Sequence, residues 1–227
     1  DIIQGRYFER LQFNNKYPST NPITGDSLSP TPFYNREINY ETGTLTNTTL
    51  PSLNLSRIYV LTTDDTCSAS EAFMNGLRGI DVEVIQIGGK TCGKPYGFYP
   101  QDNCGTTYFS IQFSGINSKG FGDYADGFNP TNSPVFAADV KGCPVADDFS
   151  KPLGDPQEDM LEAALYYVDN NSCLTLPGSA VNKALGARSG IAAALSGSTT
   201  ADGLAVKDPS ERTLNNSIRQ PIRDQQE

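Results

Sequence analysis

The sequence predicts an α/β domain on three observations: an apolar run of strand length at 58–62, apolar residues at helical spacing from Ala69 to Leu77, and a second apolar run at 82–87. Strand, helix and strand within about 30 residues make a right-handed βαβ crossover, which lays the two strands side by side and parallel. With 227 residues, 37% of them apolar, the chain is long enough to bury a core.

The elements follow in order. Residues 1–17 read as the end of a helix or an extended lead-in, with Tyr7, Phe8, Leu11 and Phe13 as its apolar face. Between 18 and 56, Pro18, Pro22, Pro30, Pro32 and Pro51 stand among many Ser, Thr and Asn. That composition favours turns and short edge strands, an irregular Pro-rich surface excursion. Ile58-Tyr59-Val60-Leu61-Thr62 is a buried strand bounded by Ser56-Arg57 and Asp64-Asp65. Ala69, Ala72, Phe73 and Leu77 then mark a helix from about Ser68 to Arg78, which Gly79 ends. Val82, Val84, Ile85 and Ile87 form the second strand, which stops at Gly88-Gly89.

Farther along, Tyr108 to Phe113 alternates like a half-buried strand, and Asp155 to Asp169 reads as a capped helix. Pro156 takes a permitted first-turn position there, acids gather at the positive end, and Met160, Leu161, Ala164, Leu165 and Val168 form the packed stripe. This helix closes a folded domain expected to span 1–176. The remainder, 177–227, is Ala/Gly/Ser-rich and then polar, the composition of a flexible C-terminal tail.

Composition excludes some functions. The chain has 17 basic and 26 acidic residues, net −9, and no dense Lys/Arg run to follow a phosphate backbone, so no nucleic-acid partner is expected. No stretch approaches the ~18–20 apolar residues of a membrane-spanning helix. Asp1 opens no basic-then-apolar leader, so the sequence reads as a processed form or a piece of a longer protein. Five cysteines without a CxxC pair, in a chain without histidine, argue against a metal site, and no cofactor is expected. They fit disulfides and an exported, periplasmic or extracellular protein, with one thiol left over and the pairing open.

The chemistry concentrates where the first strand turns into the helix. Helix N-termini offer unpaired N–H groups and partial positive charge. Ser68 occupies that turn, and the N–H of Ala69 can face the oxyanion formed when a hydroxyl adds to a carbonyl. The structural alternative is that Ser68 or Ser70 only caps the helix, with Glu71 completing a capping box. The second strand delivers Gly88-Gly89-Lys90-Thr91-Cys92-Gly93-Lys94-Pro95 to the same sheet edge, from which Lys94 can fold back toward Ser68. As a general base Lys94 must be neutral, which burial away from carboxylates favours. The alternative is a solvated loop lysine, the reading given to Lys90.

These residues resemble the S41 peptidases, which include the carboxy-terminal processing or tail-specific proteases. The shared pattern is a strand, Ser-Ala-Ser-Glu opening a helix, a second strand, then Gly-x-x-Thr-x-Gly-Lys. Here it is Ile58 to Leu61, Ser68-Ala69-Ser70-Glu71, Val84 to Ile87, and Gly88 followed by Lys90-Thr91-Cys92-Gly93-Lys94. Gly127-Phe128-Asn129-Pro130 is similar to the family's Gly-Val-x-Pro segment, and Phe8 to Phe13 to its lead-in. The resemblance implies a crotonase/ClpP-like ββα core, with Ser68 as nucleophile and Lys94 as base. It further implies a protein or peptide substrate and a PDZ domain, an oxyanion donor or a membrane anchor upstream of Asp1. Phe98 stands where processing proteases commonly carry a lysine-orienting glutamine.

Other readings stay open. Some S41 relatives use Ser-His-Glu, whose histidine would lie outside this chain, with Asp123 or Asp126 as acidic member or as plain turn residues. Cys67 and Cys92 flank the candidate pair and either staple it or pack as thiols. Tyr96 to Tyr99 lines a peptide cleft or a core. A catalytically silent module of the same fold, gripping an extended chain, is the rival from another class.

Overall fold

The computed structural model describes residues 5–174. They fall into two units, one made of 5–33 and 54–174, the other of 34–53. The small unit is an antiparallel pair, β3 (Arg36–Ile38) with β4 (Leu45–Thr49). Everything below concerns the large unit, which begins with β1 (Tyr7–Gln12) and β2 (Thr31–Pro32).

The centre of the large unit is β5 (Arg57–Thr62), α1 (Ala69–Gly79) and β6 (Glu83–Gly88). β5 and β6 run parallel in continuous register from Arg57↔Glu83 to Thr62↔Gly88, so both strands end on one edge. After β7 (Tyr96–Gly97), β8 (Gln101–Asn103), β9 (Thr106–Tyr108) and β10 (Phe113–Ile116), the chain adds β11 (Asn129–Thr131) and β12 (Asp139–Pro144). These last two extend the sheet to the order β11-β12-β6-β5, parallel throughout. The final helix is α2 (Asp159–Asn170).

A parallel sheet needs cover on both faces, and β6 shows it residue by residue. Val84 faces Met74 of α1 together with Tyr124, Phe128 and Val140. Ile85 and Ile87 face Cys143, Val145, Met160, Ala163, Ala164 and Tyr167. Each such side chain, fully buried, contributes on the order of 1.5–3 kcal/mol. An antiparallel sheet, β2-β1-β10-β7, packs on α1 through β1. Polar ties join α1 to the chain after β10: Asn75 Nδ2 donates to the Phe121 carbonyl at 2.9 Å, and Asn117 Nδ2 to the Asn75 carbonyl at 3.0 Å.

Of the two readings of the lead-in the extended one holds: it contains the strand β1, whose backbone pairs with β10 (Leu11↔Gly115) and whose Phe8 lies against Gly76 of α1. The structure corrects four other expectations. The strand at 58–62, expected to be buried, is the edge strand β5 and only half-buried, with Leu61 exposed, because it has a neighbour on one side alone. The strand expected at 108–113 is broken: β9 ends at Tyr108, β10 starts at Phe113, and Phe109 and Ile111 between them are exposed. The last helix starts at Asp159, with Glu158 as N-cap accepting from the N–H groups of Met160 and Leu161, so Pro156 lies before it. Its buried stripe is Met160, Ala163, Ala164 and Tyr167, while Leu165 and Val168 are exposed. The domain end at 176 and the tail from 177 lie outside the described residues. No helix among the described residues is long and apolar enough to cross a membrane.

Candidate active site

Ser68 sits between β5 and α1 with φ 55° and ψ −106°. Ser68 is the N-cap of α1 and Glu71 completes a capping box with it, as the structural alternative expects, but an N-cap ordinarily has an extended backbone. Here the residue is in a positive-φ region that costs a side-chain-bearing residue about 1–3 kcal/mol, and such strain persists only where surrounding contacts enforce it. The contacts are present. Thr63 N–H donates to Thr66 Oγ1 at 2.9 Å, Ser70 N–H to the Cys67 carbonyl at 3.2 Å, and Ala72 N–H to the Ser68 carbonyl at 2.8 Å. Ser68, Ala69 and Ser70 are all exposed. Ala69 is the first residue of the helix, so its N–H has no acceptor within the helix.

The loop after β6 is fastened to this turn at several points. A disulfide joins Cys67 to Cys92, with Cα atoms 5.3 Å apart. Cys92 N–H donates to the Thr66 carbonyl at 3.0 Å. The carboxylate of Glu71, fully buried in α1, completes the connection. Its Oε2 accepts from Ser68 N–H at 2.9 Å and from Lys94 N–H at 2.8 Å. Its Oε1 accepts from Thr91 Oγ1 at 2.6 Å and from Gly93 N–H at 2.8 Å. A single oxygen thus holds the main chains of Ser68 and Lys94.

A third segment backs this loop. Thr91 N–H donates to the Phe128 carbonyl at 3.0 Å, and Phe128 N–H to Thr91 Oγ1 at 2.7 Å. Gly93 has φ +80° and lies so close to the Ala125 carbonyl that a β-carbon would overlap it. The glycine before Lys94 is therefore required for both its conformation and its contact. Tyr124 stacks on Phe128 with centroids 4.7 Å apart. Burial, and then the charges of Glu9 and Glu71, raise its pKa, so the phenol stays neutral. Asp123 and Asp126 are exposed on this backing segment.

Of the sequence-predicted residues, Ser68 and Lys94 are brought together through their backbones, with Ala69 alongside. The side chain of Lys94 differs from expectation: it is exposed, and its Nζ stands 6.0 Å from the centroid of Phe98. Phe98 packs edge-on against Phe109 at 5.4 Å, so Tyr96 to Tyr99 carries surface aromatics, with Tyr96 and Phe98 exposed. A groove of about 420 Å³ is lined by Val60, Leu61, Thr66, Ala69, Ser70 and Phe73. The second disulfide, Cys143–Cys173, ties β12 to the end of α2, and Cys104 is free and exposed. Sequence reasoning missed the part played by Glu71 and Thr91. The available signal was an acid inside one motif and a hydroxyl inside the other.

In comparisons with known proteins, the chain matches no family model and no curated protein. Among solved structures it is similar to one named "Putative S41 protease", from Bacteroides fragilis NCTC 9343, with 24% sequence identity and a TM-score of 0.49. The likeness covers 73% of this chain and 37% of that one, so this chain spans little more than a third of that protein's length.

Proposed function

We propose that this chain carries the reactive centre of a serine peptidase of the S41 type. Ser68 is the nucleophile, Ala69 N–H donates to the oxyanion, and Lys94 is the base. The observation that carries this reading is the strained conformation of Ser68 on a strand-to-helix turn, which capping alone does not require. The two motifs, fastened to each other by Glu71 and by Cys67–Cys92, support it.

In the reaction, the neutral Lys94 amine takes the Ser68 hydroxyl proton as Oγ attacks the peptide carbonyl. The tetrahedral oxyanion is met by the Ala69 N–H at the positive end of α1. Collapse passes the proton to the leaving amine and leaves an acyl-serine, which water hydrolyses with Lys94 again as base. Substrate covering the exposed Lys94 supplies the desolvation that favours its neutral amine. The groove beside Ala69 and the aromatic pair Phe98–Phe109 offer apolar surface for an extended polypeptide.

A fluorophosphonate probe tests the proposal. The intact protein is expected to label at Ser68, Ser68→Ala not at all, and Lys94→Ala at least 100-fold more slowly, on the scale of general-base catalysis. The exposed Lys94 side chain favours one second reading, a Ser-His-acid site whose histidine lies outside this chain. Undiminished labelling of Lys94→Ala would select it, and a folded protein that never labels would be the binding module.

A further inference from the structure

We infer that Glu71 is a positioning residue for the proposed reaction, setting the register of nucleophile and base by holding both main chains on its buried carboxylate. The inference rests on the peptidase reading above. A capping box requires a single bond from this side chain, to the Ser68 N–H. Three further donors, Lys94 N–H, Gly93 N–H and Thr91 Oγ1, come from the loop 20–23 residues farther along the chain. An ionised carboxylate offers about four acceptor directions on two oxygens, and here four protein donors fill them. No salt bridge to Glu71 is present among the described residues, so the buried charge is met by hydrogen bonds and the N-terminal end of α1.

The chemistry of the donors makes the role specific. Aspartate would keep the charge and the helix-capping position, but its carboxylate sits about 1.5 Å nearer its own backbone and cannot reach the second loop. Glutamine would turn one oxygen into an N–H donor aimed at other donors. Either change leaves Ser68 and Lys94 in place while removing what aligns them. A positional error of about 1 Å can cost roughly 100-fold in rate.

The test is fluorophosphonate labelling of wild type, Glu71→Asp, Lys94→Ala and the double variant, with amide hydrogen exchange at Ser68 and Lys94 on the same proteins. Glu71→Asp is expected to unfold cooperatively, lose amide protection at both positions together and label roughly 100-fold more slowly. In the Lys94→Ala background it should cost little more, since its effect runs through that lysine. Where Glu71→Asp fails to fold, Thr91→Val serves, because it spares the cap while removing one donor to Glu71 together with the acceptor of the Phe128 N–H, and Thr91→Ser, which keeps both bonds, is its control; a several-fold loss with the same non-additivity is expected for Thr91→Val alone. Wild-type rates in the folded variant, or losses that simply multiply with those of Lys94→Ala, would overturn the positioning role while the peptidase reading stands. A folded wild-type protein that does not label would overturn both, and is told apart by that control.

Discussion

At the scale of the residue, Ser68 pays for its geometry in stability. With φ 55° and ψ −106°, it holds a conformation that glycine adopts freely. Ser68→Gly is therefore expected to raise unfolding stability by about 1 kcal/mol while abolishing labelling. A lower thermal midpoint would show that the backbone there is unstrained. That the loops carrying Ser68 and Lys94 lie together was legible because each follows a recognisable strand of one parallel pair. Glu71 was legible only as a cap, because a carboxylate three residues after a serine has that local explanation. Its bonds to Thr91, Gly93 and Lys94 exist only once β6 lies beside β5.

Among the elements, the two loops that follow β5 and β6 form a bound pair, and Cys67–Cys92 is their covalent link. Closing a loop of this length is worth about 3 kcal/mol. Cys67→Ser/Cys92→Ser is expected to lose roughly that in denaturant unfolding and to slow Ser68 labelling, because the Glu71 bonds and the Cys92–Thr66 backbone bond hold the loops less firmly alone. Unchanged stability and labelling would mean that the link is incidental. Helix α2 shows why one element was read in the wrong phase. Leucine and valine outrank tyrosine and alanine in apolarity, yet the narrow space over Ile85 and Ile87 takes Ala163 and Ala164 and leaves Leu165 outside. Tyr167 is buried there with no partner for its hydroxyl among the described residues. Tyr167→Phe is expected to be neutral or stabilising by up to about 1 kcal/mol, and a loss above that would reveal a hidden partner.

Over the whole molecule, the parallel pair β5 and β6 was legible in two apolar runs, of which β6 is buried on both faces and β5, at the sheet edge, is half-buried. The β11–β12 extension and the antiparallel β2-β1-β10-β7 sheet were not, since short strands such as Asn129–Thr131 carry little pattern and pair with distant partners. Charge crosses the sheet at Glu83, which bonds to Arg57 on β5 and Lys141 on β12. Burial pushes Glu83 up, but these two cations outweigh it and hold its carboxyl below the usual 4.5. A depressed carboxylate stabilises the fold above its unfolded pKa, and that contribution fades as pH falls through the lower folded value. Glu83→Gln should therefore be less stable than wild type at pH 7, by under about 1 kcal/mol given the exposure of the group, and the gap should close as pH falls through the lowered folded value. A gap that widens in acid would contradict this.

The most direct measurement is a crystal structure of the phosphonylated protein. We expect phosphorus bonded to Ser68 Oγ, a phosphonyl oxygen within about 3 Å of the Ala69 nitrogen, and Lys94 Nζ swung from Phe98 to within hydrogen-bond reach of Ser68 Oγ. Phosphonylation elsewhere, or a Lys94 amine still over Phe98 with another base in its place, would contradict the account.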